Sequence, residues 1–289
     1  SWTSHASPAP STDRRRRTSV PELPEVETIA RGLAPELEGR TVLDVVVREP
    51  RLRTPVASDF ARRLVGRRFG RMGRTGKYLV TPLDDGCCWL VHLGMTGRLT
   101  LGATHRLPLV HDHVVVAPDD RRVLVYNDPR RFGRLDVLVA AEVRRVIGPG
   151  VDALDVNVTG PWLFARSRGR RTSIKALLMD QREIAGLGNI YVSELLFRAG
   201  VRPRRRAARL SRADCDRLVG AMRAVLGDAL ARGGSSISDY RDGFDRPGSF
   251  QDEHAVYDRA DLPCRRCCVR GRAGVVAGRS RCWCPAWRR

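Results

Sequence analysis

The spacing of apolar residues predicts one helix followed by a series of short strands in the first half of the chain. Apolar side chains recur at helical intervals from Val26 to Leu37, which predicts a helix over Glu22–Glu38 that bends or ends at Pro35. Short runs rich in β-branched residues predict strands at Thr41–Val47, Tyr78–Leu83, Cys88–Leu93, His113–Ala117, Arg122–Tyr126 and Arg134–Val139. Strands this short and regular indicate a β-sandwich or barrel behind the N-terminal helix.

The pattern becomes helical after the sequence Gly-Pro-Gly at 148–150, which is typical of a linker. Apolar periodicity then predicts helices over Ser173–Met179, Asn189–Ala199 and Ser211–Arg232. A loop rich in glycine and serine occupies 233–250, and a cluster of cysteines follows it. We therefore expect an α+β multidomain protein that consists of an extension over 1–20, a strand-rich domain over 21–148, a helical domain over 149–255 and a cysteine-containing region over 256–289.

The chain carries a formal net charge of +20 over its 289 residues, and its isoelectric point is about 11.0. So large an excess of positive charge favours a polyanionic partner, above all nucleic acid. A generally arginine-rich proteome would give a similar composition, so charge alone leaves that alternative open. No run of 18 apolar residues is present, which excludes a helix that spans a membrane, and we expect no membrane partner.

Only two of the 52 basic residues are lysines, Lys77 and Lys175. Arginine binds phosphate well and stays charged, but it cannot act as an amine acid or base. Two lysines that persist in so arginine-rich a chain therefore favour positions where arginine cannot substitute, although chance survival is the alternative. Lys77 opens a predicted strand, where it could contact a phosphate or donate a proton.

Five of the eight cysteines lie within the last 26 residues. Without a secretory leader, such a cluster favours metal ligation over disulfides. The spacing nearly fits a four-cysteine zinc ribbon, in which Trp287 stands at the fourth position. The candidate ligands of one Zn²⁺ ion are Cys264, Cys267 and Cys284, with Cys282, Cys268 or a water as the fourth. A site without metal is the alternative.

Pro21 and Glu22 open the predicted N-terminal helix, and two interpretations of them remain. Both residue types suit a first helical turn, because proline lacks the N–H that would have no partner there and the helix dipole favours glutamate. A chain that began at Pro21 would instead present a secondary amine, which can attack a sugar C1′ and form an iminium while Glu22 moves protons. Val20 stands where a GTG start codon would place the initiator residue, so we expect that residues 1–20 are absent from the native protein.

Two predicted turns carry side chains suited to entering a DNA duplex. Met95 lies between two glycines, and Arg130 and Phe132 share a turn after Asp128. An apolar wedge can replace a displaced base in the stack, and an arginine can bond the orphaned partner base. A methionine packed in the core is the alternative for Met95.

Two further motifs favour contacts with phosphate. His111 and His113 are expected on one face of a strand, where a phosphate contact or a packed histidine is favoured over a metal site. Asn189 follows a Gly-Leu-Gly turn and is expected to cap the helix behind it. The N-terminus of that helix is a ready phosphate site, and Lys175 lies one helix earlier.

Taken in order, these motifs resemble those of the formamidopyrimidine-DNA glycosylase family. The resemblance extends from Pro21 to about Cys284 and is carried by PELPEVE, GKYL, HLGMTG, HDH, YNDPRRFG, IKALLMD, GLGNIYVSE, the paired cysteines and the GRS before the last cysteines. The leucine in the first motif resembles the formamidopyrimidine branch of the superfamily, because the Nei branch usually has glycine there.

The resemblance implies a fold and a role for each of these residues. The fold is an N-terminal helix with a β-sandwich, then a helix-two-turn-helix domain and a C-terminal zinc-finger-like β-hairpin, with DNA in the cleft between them. The implied catalytic residues are Pro21 as Schiff-base nucleophile, Glu22 as proton donor, Lys77 at the lesion phosphate and in β-elimination, and Arg279 in phosphate binding and δ-elimination. The implied DNA contacts are Met95, Arg130 and Phe132 in the gap left by the everted base, with His111, Arg171, Lys175 and Asn189 along the strand. The loop 233–250 would cover the everted base.

The implied activity is that of a bifunctional DNA glycosylase and AP lyase in base excision repair. It would excise oxidised purines such as 8-oxoguanine and formamidopyrimidines from double-stranded DNA, with no organic cofactor, because the iminium itself acidifies the C2′ protons. The alternatives are a Nei-type glycosylase for oxidised pyrimidines and a catalytically silent DNA-binding paralogue. We expect a monomer in the bacterial cytoplasm, associated with the nucleoid.

Overall fold

The predicted change from strands to helices near residue 148 is present in the structure. The structure, a computed structural model, describes residues 20–103, 108–237, 240–276 and 279–286. Its helices are α1 (Leu23–Leu37), α2 (Phe60–Leu64), α3 (Ala140–Ile147), α4 (Gly160–Ser167), α5 (Ile174–Met179), α6 (Asn189–Ala199) and α7 (Arg212–Ala231). Its strands are β1 (Val42–Val47), β2 (Gly73–Thr75), β3 (Tyr78–Pro82), β4 (Cys87–His92), β5 (Arg98–Ala103), β6 (Asp112–Pro118), β7 (Arg122–Asn127), β8 (Arg134–Val139), β9 (Val151–Asp152), β10 (Ile184–Ala185), β11 (Arg272–Val276) and β12 (Arg279–Trp283).

The predicted strands and helices are confirmed to within one residue at nearly every end. Strands β2 and β5 and helices α2, α3 and α4 were not predicted, because they are short or carry no clear period. The expectation for the extension rests on residues 1–19, and that for the fourth zinc-ribbon position rests on Trp287; both lie outside the described residues. The domain boundaries at 148 and 255 stay predictions.

The strand-rich region is a β-sandwich of two antiparallel four-stranded sheets, as expected. One sheet has the order β1-β6-β7-β5 and the other has the order β2-β3-β4-β8. Alternation along a strand explains how each sheet buries one face: in β8, Leu135 and Val137 are buried, whereas Asp136 between them is only half-buried. Trp89 of β4 stacks on Phe69 with 5.7 Å between ring centroids, and both belong to the core that the two sheets share.

Helix α1 contributes to two hydrophobic cores. Leu23, at its first turn, packs in the core of the helical domain, whereas the apolar residues from Val26 to Leu37 pack in the core of the sandwich. Pro35 lies in the last turn, so the helix ends at Leu37 rather than at the proline. The N-terminus of α1 therefore lies at the boundary between the two domains.

The helical domain packs α4, α5, α6 and α7 around its own core. Helix α7 begins at a capping box, in which Ser211 Oγ accepts the N–H of Asp214 at 3.1 Å and Asp214 accepts the N–H of Ser211 at 2.9 Å. Helix α6 ends at Gly200, whose φ of 69° is left-handed and therefore suits glycine. These two local signals fix the lengths of the longest helices of the domain.

Arg74 connects the two domains. Its Nε lies 2.8 Å from Glu27 Oε2 on α1, and its Nη1 and Nη2 lie 2.5 and 3.0 Å from the two oxygens of Asp152 on β9. The Arg74 side chain is 5% exposed, so this bridge is partly shielded from solvent.

The β11–β12 hairpin packs against helix α6 through strand β12. Among the described residues, none of the helices combines the length and the apolar character needed to cross a bilayer.

Candidate active site

Pro21 and Glu22 lie at the start of α1, where three segments of the chain meet, and both are buried. The N–H of Glu22 donates to Glu25 Oε2 at 2.8 Å, and the N–H of Leu23 donates to the Gly186 carbonyl at 3.0 Å. The first turn of a helix has no helical partners for these donors, so the two bonds satisfy them. They also hold the residues after Pro21 against the turn that precedes α6.

The carboxylate of Glu22 faces the N-terminus of α6. Its Oε1 accepts the N–H of Ile190 at 2.9 Å and its Oε2 accepts the N–H of Tyr191 at 3.4 Å, and the residue is 2% exposed. Burial raises the pKa of Glu22 above its usual value, while the positive charge of Lys77 and the backbone N–H groups oppose that rise. Burial thus favours the protonated form of Glu22, whereas Lys77 and the backbone N–H groups favour its ionised form.

Lys77 reaches the same point from the β2–β3 hairpin turn. The side chains of Lys77 and Glu22 both lie close to Gly188. A Cβ at that position would be 2.7 Å from Lys77 Nζ and closer still to the Glu22 carboxyl carbon. The backbone of Gly188 is extended, with φ −142° and ψ −158°, so close approach rather than conformation requires glycine here. The Lys77 ammonium and the Glu22 carboxylate thus both lie against Gly188, the residue that precedes α6.

A second buried carboxylate lies one turn into α1. Glu25 Oε1 accepts the Tyr191 hydroxyl and also the N–H of Ser235, the latter at 2.7 Å. Burial, more than any neighbouring charge, raises the pKa of Glu25 to about 7. Ser235 Oγ lies 3.1 Å from His254 Nε2, and burial lowers the pKa of that histidine to about 4. This network attaches the loop 233–250 to the two helices that form the site.

The two wedge-bearing turns pack against each other at one rim of the sandwich. Gly94 has a φ of 62°, and a Cβ there would overlap the backbone of Phe132, so only glycine permits this contact. Met95 is half-buried, whereas Phe132 is 39% exposed and lies under the Arg130 guanidinium, which is 4.7 Å from the ring centroid. Three side chains suited to a base stack therefore project from adjoining turns.

Asp128 holds these turns together from beneath. Its buried carboxylate accepts the Thr96 hydroxyl at 2.6 Å and the N–H of Gly133 at 2.8 Å. Its backbone N–H donates to the carbonyl of His111 at 3.1 Å, and its carbonyl lies 2.7 Å from His113 Nε2. His113 is packed in β6, whereas His111 is exposed in the turn before that strand with a φ of 73°. His111 therefore lies outside the strand, but the two imidazole rings still face each other with 6.1 Å between their centroids.

The C-terminal hairpin carries three thiols that could hold a metal ion. The sulfurs of Cys264, Cys267 and Cys284 all lie within 4.8 Å of one another, and those of Cys267 and Cys284 are 3.3 Å apart. Cys264 and Cys284 are buried against Phe197 of α6, which fixes the cluster on that helix. The proposed spare thiols, Cys268 and Cys282, are not in this group; Cys268 is exposed and Cys282 is buried.

Comparison with known proteins decides the family. Two family models match the chain, the formamidopyrimidine-DNA glycosylase N-terminal domain over residues 20–135 and the formamidopyrimidine-DNA glycosylase H2TH domain over residues 149–241. A formamidopyrimidine-DNA glycosylase of Acidiphilium cryptum is 44% identical over 273 residues, covering 92% of this chain and 98% of the relative. One of Cereibacter sphaeroides is 44% identical over 286 residues, covering 93% and 100%. The chain belongs to the formamidopyrimidine-DNA glycosylase family.

Solved structures agree with this assignment. The crystal structure of the MutM (Fpg) protein from Thermus thermophilus has a TM-score of 0.82 at 39% identity and covers 92% of this chain and 97% of that one. The Lactococcus lactis Fpg in complex with abasic-site DNA has a TM-score of 0.84 at 30% identity and covers 91% and 98%. The predicted glycosylase architecture is confirmed, and membership of the family makes the chain a DNA glycosylase of base excision repair.

The structure of this glycosylase brings together only some of the residues singled out in the sequence. Glu22 and Lys77 both approach Gly188, and Pro21 is buried next to Glu22 in the chain. Arg279 begins β12, and its side chain lies outside what the structure describes. Asn189 is the first residue of α6 and Gly188 precedes it as the cap, which corrects the expectation that the asparagine caps the helix. Lys175 is 1% exposed and donates to Ser193 Oγ at 3.2 Å, so it links α5 to α6 from inside the domain.

Sequence reasoning missed the second buried carboxylate and its partners. Glu25 lies in the very motif that carries Pro21 and Glu22, so its position was a usable signal. The partners Tyr191, Ser235 and His254 could not have been found in the same way, because they come from segments more than 160 residues further along the chain. Arg171, which the sequence did single out, is exposed shortly before α5, and a contact with phosphate requires such exposure.

Proposed function

We propose that this glycosylase is bifunctional: it excises oxidised purines, such as 8-oxoguanine and formamidopyrimidines, from double-stranded DNA and then cleaves the strand as an AP lyase. The observation that carries the proposal is that the Glu22 carboxyl group, on the residue after the buried Pro21, and the Lys77 ammonium both lie against Gly188. Lactococcus lactis Fpg, a relative of known structure, forms complexes with DNA that contains an abasic site or Fapy-dG, which fits the same substrate class.

The proposed nucleophile is the amine of Pro21 in a chain that begins at that residue. Its lone pair attacks C1′ of the damaged nucleotide, the bond from C1′ to the base breaks, and the base leaves with the bonding pair. The nitrogen loses its proton, the C1′–O4′ bond of the sugar ring breaks as O4′ takes up a proton, and the nitrogen lone pair forms the iminium to C1′. Within a longer chain the same nitrogen is an amide and has no available lone pair, so the proposal includes the absence of residues 1–20 from the active protein.

Glu22 and Lys77 are the proposed acid–base and phosphate groups. Burial raises the pKa of Glu22, which suits a group that must give and take protons during base loss. The iminium acidifies C2′, so loss of a C2′ proton breaks the C3′–O bond in β-elimination. Lys77 binds the lesion phosphate and assists this step, a role that the permanently charged arginine could not fill. Arg279 would assist the δ-elimination that follows.

The remaining site residues would hold the DNA. Met95, Phe132 and Arg130 would fill the gap left by the everted base, and the loop 233–250 would cover that base. The proposed contacts along the phosphate backbone are His111, Arg171 and Asn189. Lys175 is not among them, because it is buried and donates to Ser193. One Zn²⁺ ion in the hairpin would be bound by the three clustered thiols, no organic cofactor is needed, and the protein would act as a monomer on bacterial chromosomal DNA.

Borohydride trapping tests the proposal, because borohydride reduces the iminium to a stable amine and so fixes the protein to DNA. We expect a covalent adduct with an 8-oxoguanine duplex from protein that begins at Pro21. The adduct should be absent or strongly reduced with the 289-residue chain and with a Pro21→Gly variant of the shorter form. Binding to a duplex with an abasic-site analogue is the control for folding and DNA affinity.

Each other outcome points to a different function. Efficient trapping by the 289-residue chain would overturn the role of the proline amine. Trapping only on an oxidised-pyrimidine duplex would indicate a Nei-type specificity. Retained binding to the analogue without trapping on any lesion would indicate a catalytically silent DNA-binding paralogue.

A further inference from the structure

The cysteine cluster of the hairpin supplies three protein ligands where a closed structural zinc site has four. Cys264, Cys267 and Cys284 form the group, and within the described residues no histidine, carboxylate or further thiol joins it. In the sequence, Trp287 occupies the position at which the ribbon spacing would place a fourth cysteine, although this tryptophan lies outside the described residues. The residues present therefore do not fit a closed tetrathiolate site.

The two additional cysteines do not replace the missing ligand. Cys282 lies in β12 opposite Ala273 of β11 and is buried, and its sulfur is not among the clustered ones. Cys268 is exposed in a left-handed turn with a φ of 58°, and its N–H donates to the Cys264 carbonyl at 3.0 Å. Neither sulfur is therefore in the group of ligand atoms that all lie within 4.8 Å of one another.

The distances between the three sulfurs suit the coordination of one ion by three thiolates. Zn–S bonds of ~2.3 Å would put tetrahedral ligand sulfurs about 3.8 Å apart. The pair Cys267 and Cys284 is already at 3.3 Å, and all three sulfurs lie within 4.8 Å, so small side-chain movements would close the set on one ion. Soft thiolate ligands select soft, thiophilic ions.

We propose that the hairpin contains an open three-thiolate site, formed by Cys264, Cys267 and Cys284, whose fourth coordination position takes an exogenous ligand. Zn²⁺ in this site is held by three thiolates and one exchangeable small ligand. The site also takes thiophiles that need only three sulfurs, of which trivalent arsenic is the type case, because its lone pair occupies the fourth direction. The proposal concerns the hairpin alone and does not depend on the glycosylase chemistry.

Arsenite binding is a balanced ligand exchange. As(OH)₃ reacts with three thiols to form three As–S bonds, three As–O bonds break, and three molecules of water leave with the thiol protons. Arsenic stays trivalent and each sulfur stays at the thiolate level, so no oxidant or reductant takes part. The adduct therefore has the mass of the protein plus one arsenic atom minus three hydrogen atoms.

Cobalt substitution tests whether the fourth position is open. The chain that begins at Pro21 is loaded with Co²⁺, and its charge-transfer and d–d bands are recorded before and after addition of imidazole or 2-mercaptoethanol. We expect the bands to shift on addition, because an exogenous ligand exchanges at the metal. Bands that do not respond, with an intensity that indicates four thiolates, would overturn the proposal.

Variants separate the three proposed ligands from the spare thiols. Cys264→Ser, Cys267→Ser and Cys284→Ser should each lose the three-coordinate arsenic adduct in native mass spectrometry, whereas Cys268→Ser and Cys282→Ser should retain it. Loss of the adduct in either spare-thiol variant, with its circular dichroism unchanged, would overturn the assignment.

A gain-of-function variant keeps the test decisive if a cysteine variant fails to fold. Trp287→Cys adds a thiol at the ribbon position, so Zn²⁺ affinity measured against a chromophoric chelator should rise by at least tenfold. The Co²⁺ bands of this variant should no longer respond to imidazole. Equal Zn²⁺ affinity and an equal imidazole response in the two proteins would contradict the proposal.

Discussion

One helix, α6, supports two regions of very different construction. The first, here called the junction, comprises residues 21–25, the turn 76–77 and residues 186–191. The second is the cysteine cluster of the hairpin. At the junction, each buried carboxylate accepts hydrogen bonds from segments far apart in sequence, such as Glu22 from Ile190 and Glu25 from Ser235. At the cluster, three thiols rest on a small apolar group around Phe197.

The difference shows which region can form without a ligand. The junction is over-determined, because two domain cores, the Arg74 bridge and several buried hydrogen bonds fix the same few residues. Its geometry is therefore ready before DNA arrives, which is what catalysis by positioned groups requires. The cluster rests on a small core of four buried residues among those described, so we expect its order to depend on a bound ion. Removal of metal should thus loosen the hairpin and leave the junction in place.

The largest expected effect comes from Gly188→Ala at the junction. The extended backbone of this residue accepts alanine, but the new Cβ would overlap the Glu22 carboxyl group and lie 2.7 Å from Lys77 Nζ. One or both groups must move, and a displacement of about 1 Å in a catalytic group costs on the order of 100-fold in rate. We expect the single-turnover rate of 8-oxoguanine excision by protein beginning at Pro21 to fall by about that factor.

Gly220→Ala is the matched control. Gly220 lies on the exposed face of α7, and a Cβ there would meet no atom within 4 Å. Alanine in a helix interior is favoured over glycine by about 1 kcal/mol, so this variant should be slightly more stable and equally active. An unchanged rate in Gly188→Ala would mean that the contact over Gly188 has no part in catalysis.

Much of the fold was predictable because it follows from local patterns. The apolar residues of α1, the alternation in β8 and the capping Ser211 of α7 are each visible within a few residues of sequence. The short β2 was missed because a strand of three residues shows no period, and it forms by pairing with β3. The same limit hid α4, which has only three buried residues.

The proposed catalytic residues could be singled out for a different reason. Pro21, Glu22 and Lys77 stand in motifs whose residue types are chemically unusual in an arginine-rich chain. The approach of Glu22 and Lys77 to each other was not predictable, because both side chains lie against Gly188, which comes from the helical domain. Nor was the burial of Lys175, since a lysine in an amphipathic segment gives no sign that its ammonium will face Ser193.

A smaller effect is expected in the pH dependence of stability. The pKa of Glu25 is about 7 in the folded protein and 4.5 in the reference state, so the unfolded chain releases this proton first as pH rises. Folding stability from this group is therefore present below about pH 4.5 and is lost as pH rises towards 7. Between pH 5 and 8 the loss is about 2–3 kcal/mol at 1.36 kcal/mol per pKa unit.

The measurement compares wild type with Glu25→Gln by urea unfolding at several pH values. The difference in unfolding free energy between the two proteins should decline from pH 5 to pH 8, because glutamine does not titrate. Glu27→Gln is the control: hydrogen bonds from Arg74 and Arg31 outweigh burial and lower the pKa of Glu27, so its contribution should be constant in this range. A constant difference for Glu25→Gln would show that its carboxyl group ionises normally in the fold.

The smallest expected effect concerns the attachment of the hairpin to α6. The carboxylate of Glu194 is 5% exposed and accepts the N–H groups of Ala255, Val256 and Tyr257 at 2.8, 3.0 and 2.7 Å. Glu194→Gln turns one acceptor into a donor that faces another donor, which costs about 1–2 kcal/mol. We expect faster hydrogen exchange at these three amides and a matching loss in urea unfolding.

Glu253→Gln is the control for Glu194→Gln, because Glu253 forms only an exposed ion pair with Arg232 at 3.0 Å. Such pairs contribute about 0–1 kcal/mol, so exchange at 255–257 should hardly change. The trapping rate of Glu194→Gln separates the two regions of α6. If the junction is fixed independently of the hairpin, that rate should fall far less than in Gly188→Ala. An equal fall would mean that α6 transmits the loosening from Glu194 to Ile190, so that the junction and the hairpin are one cooperative unit.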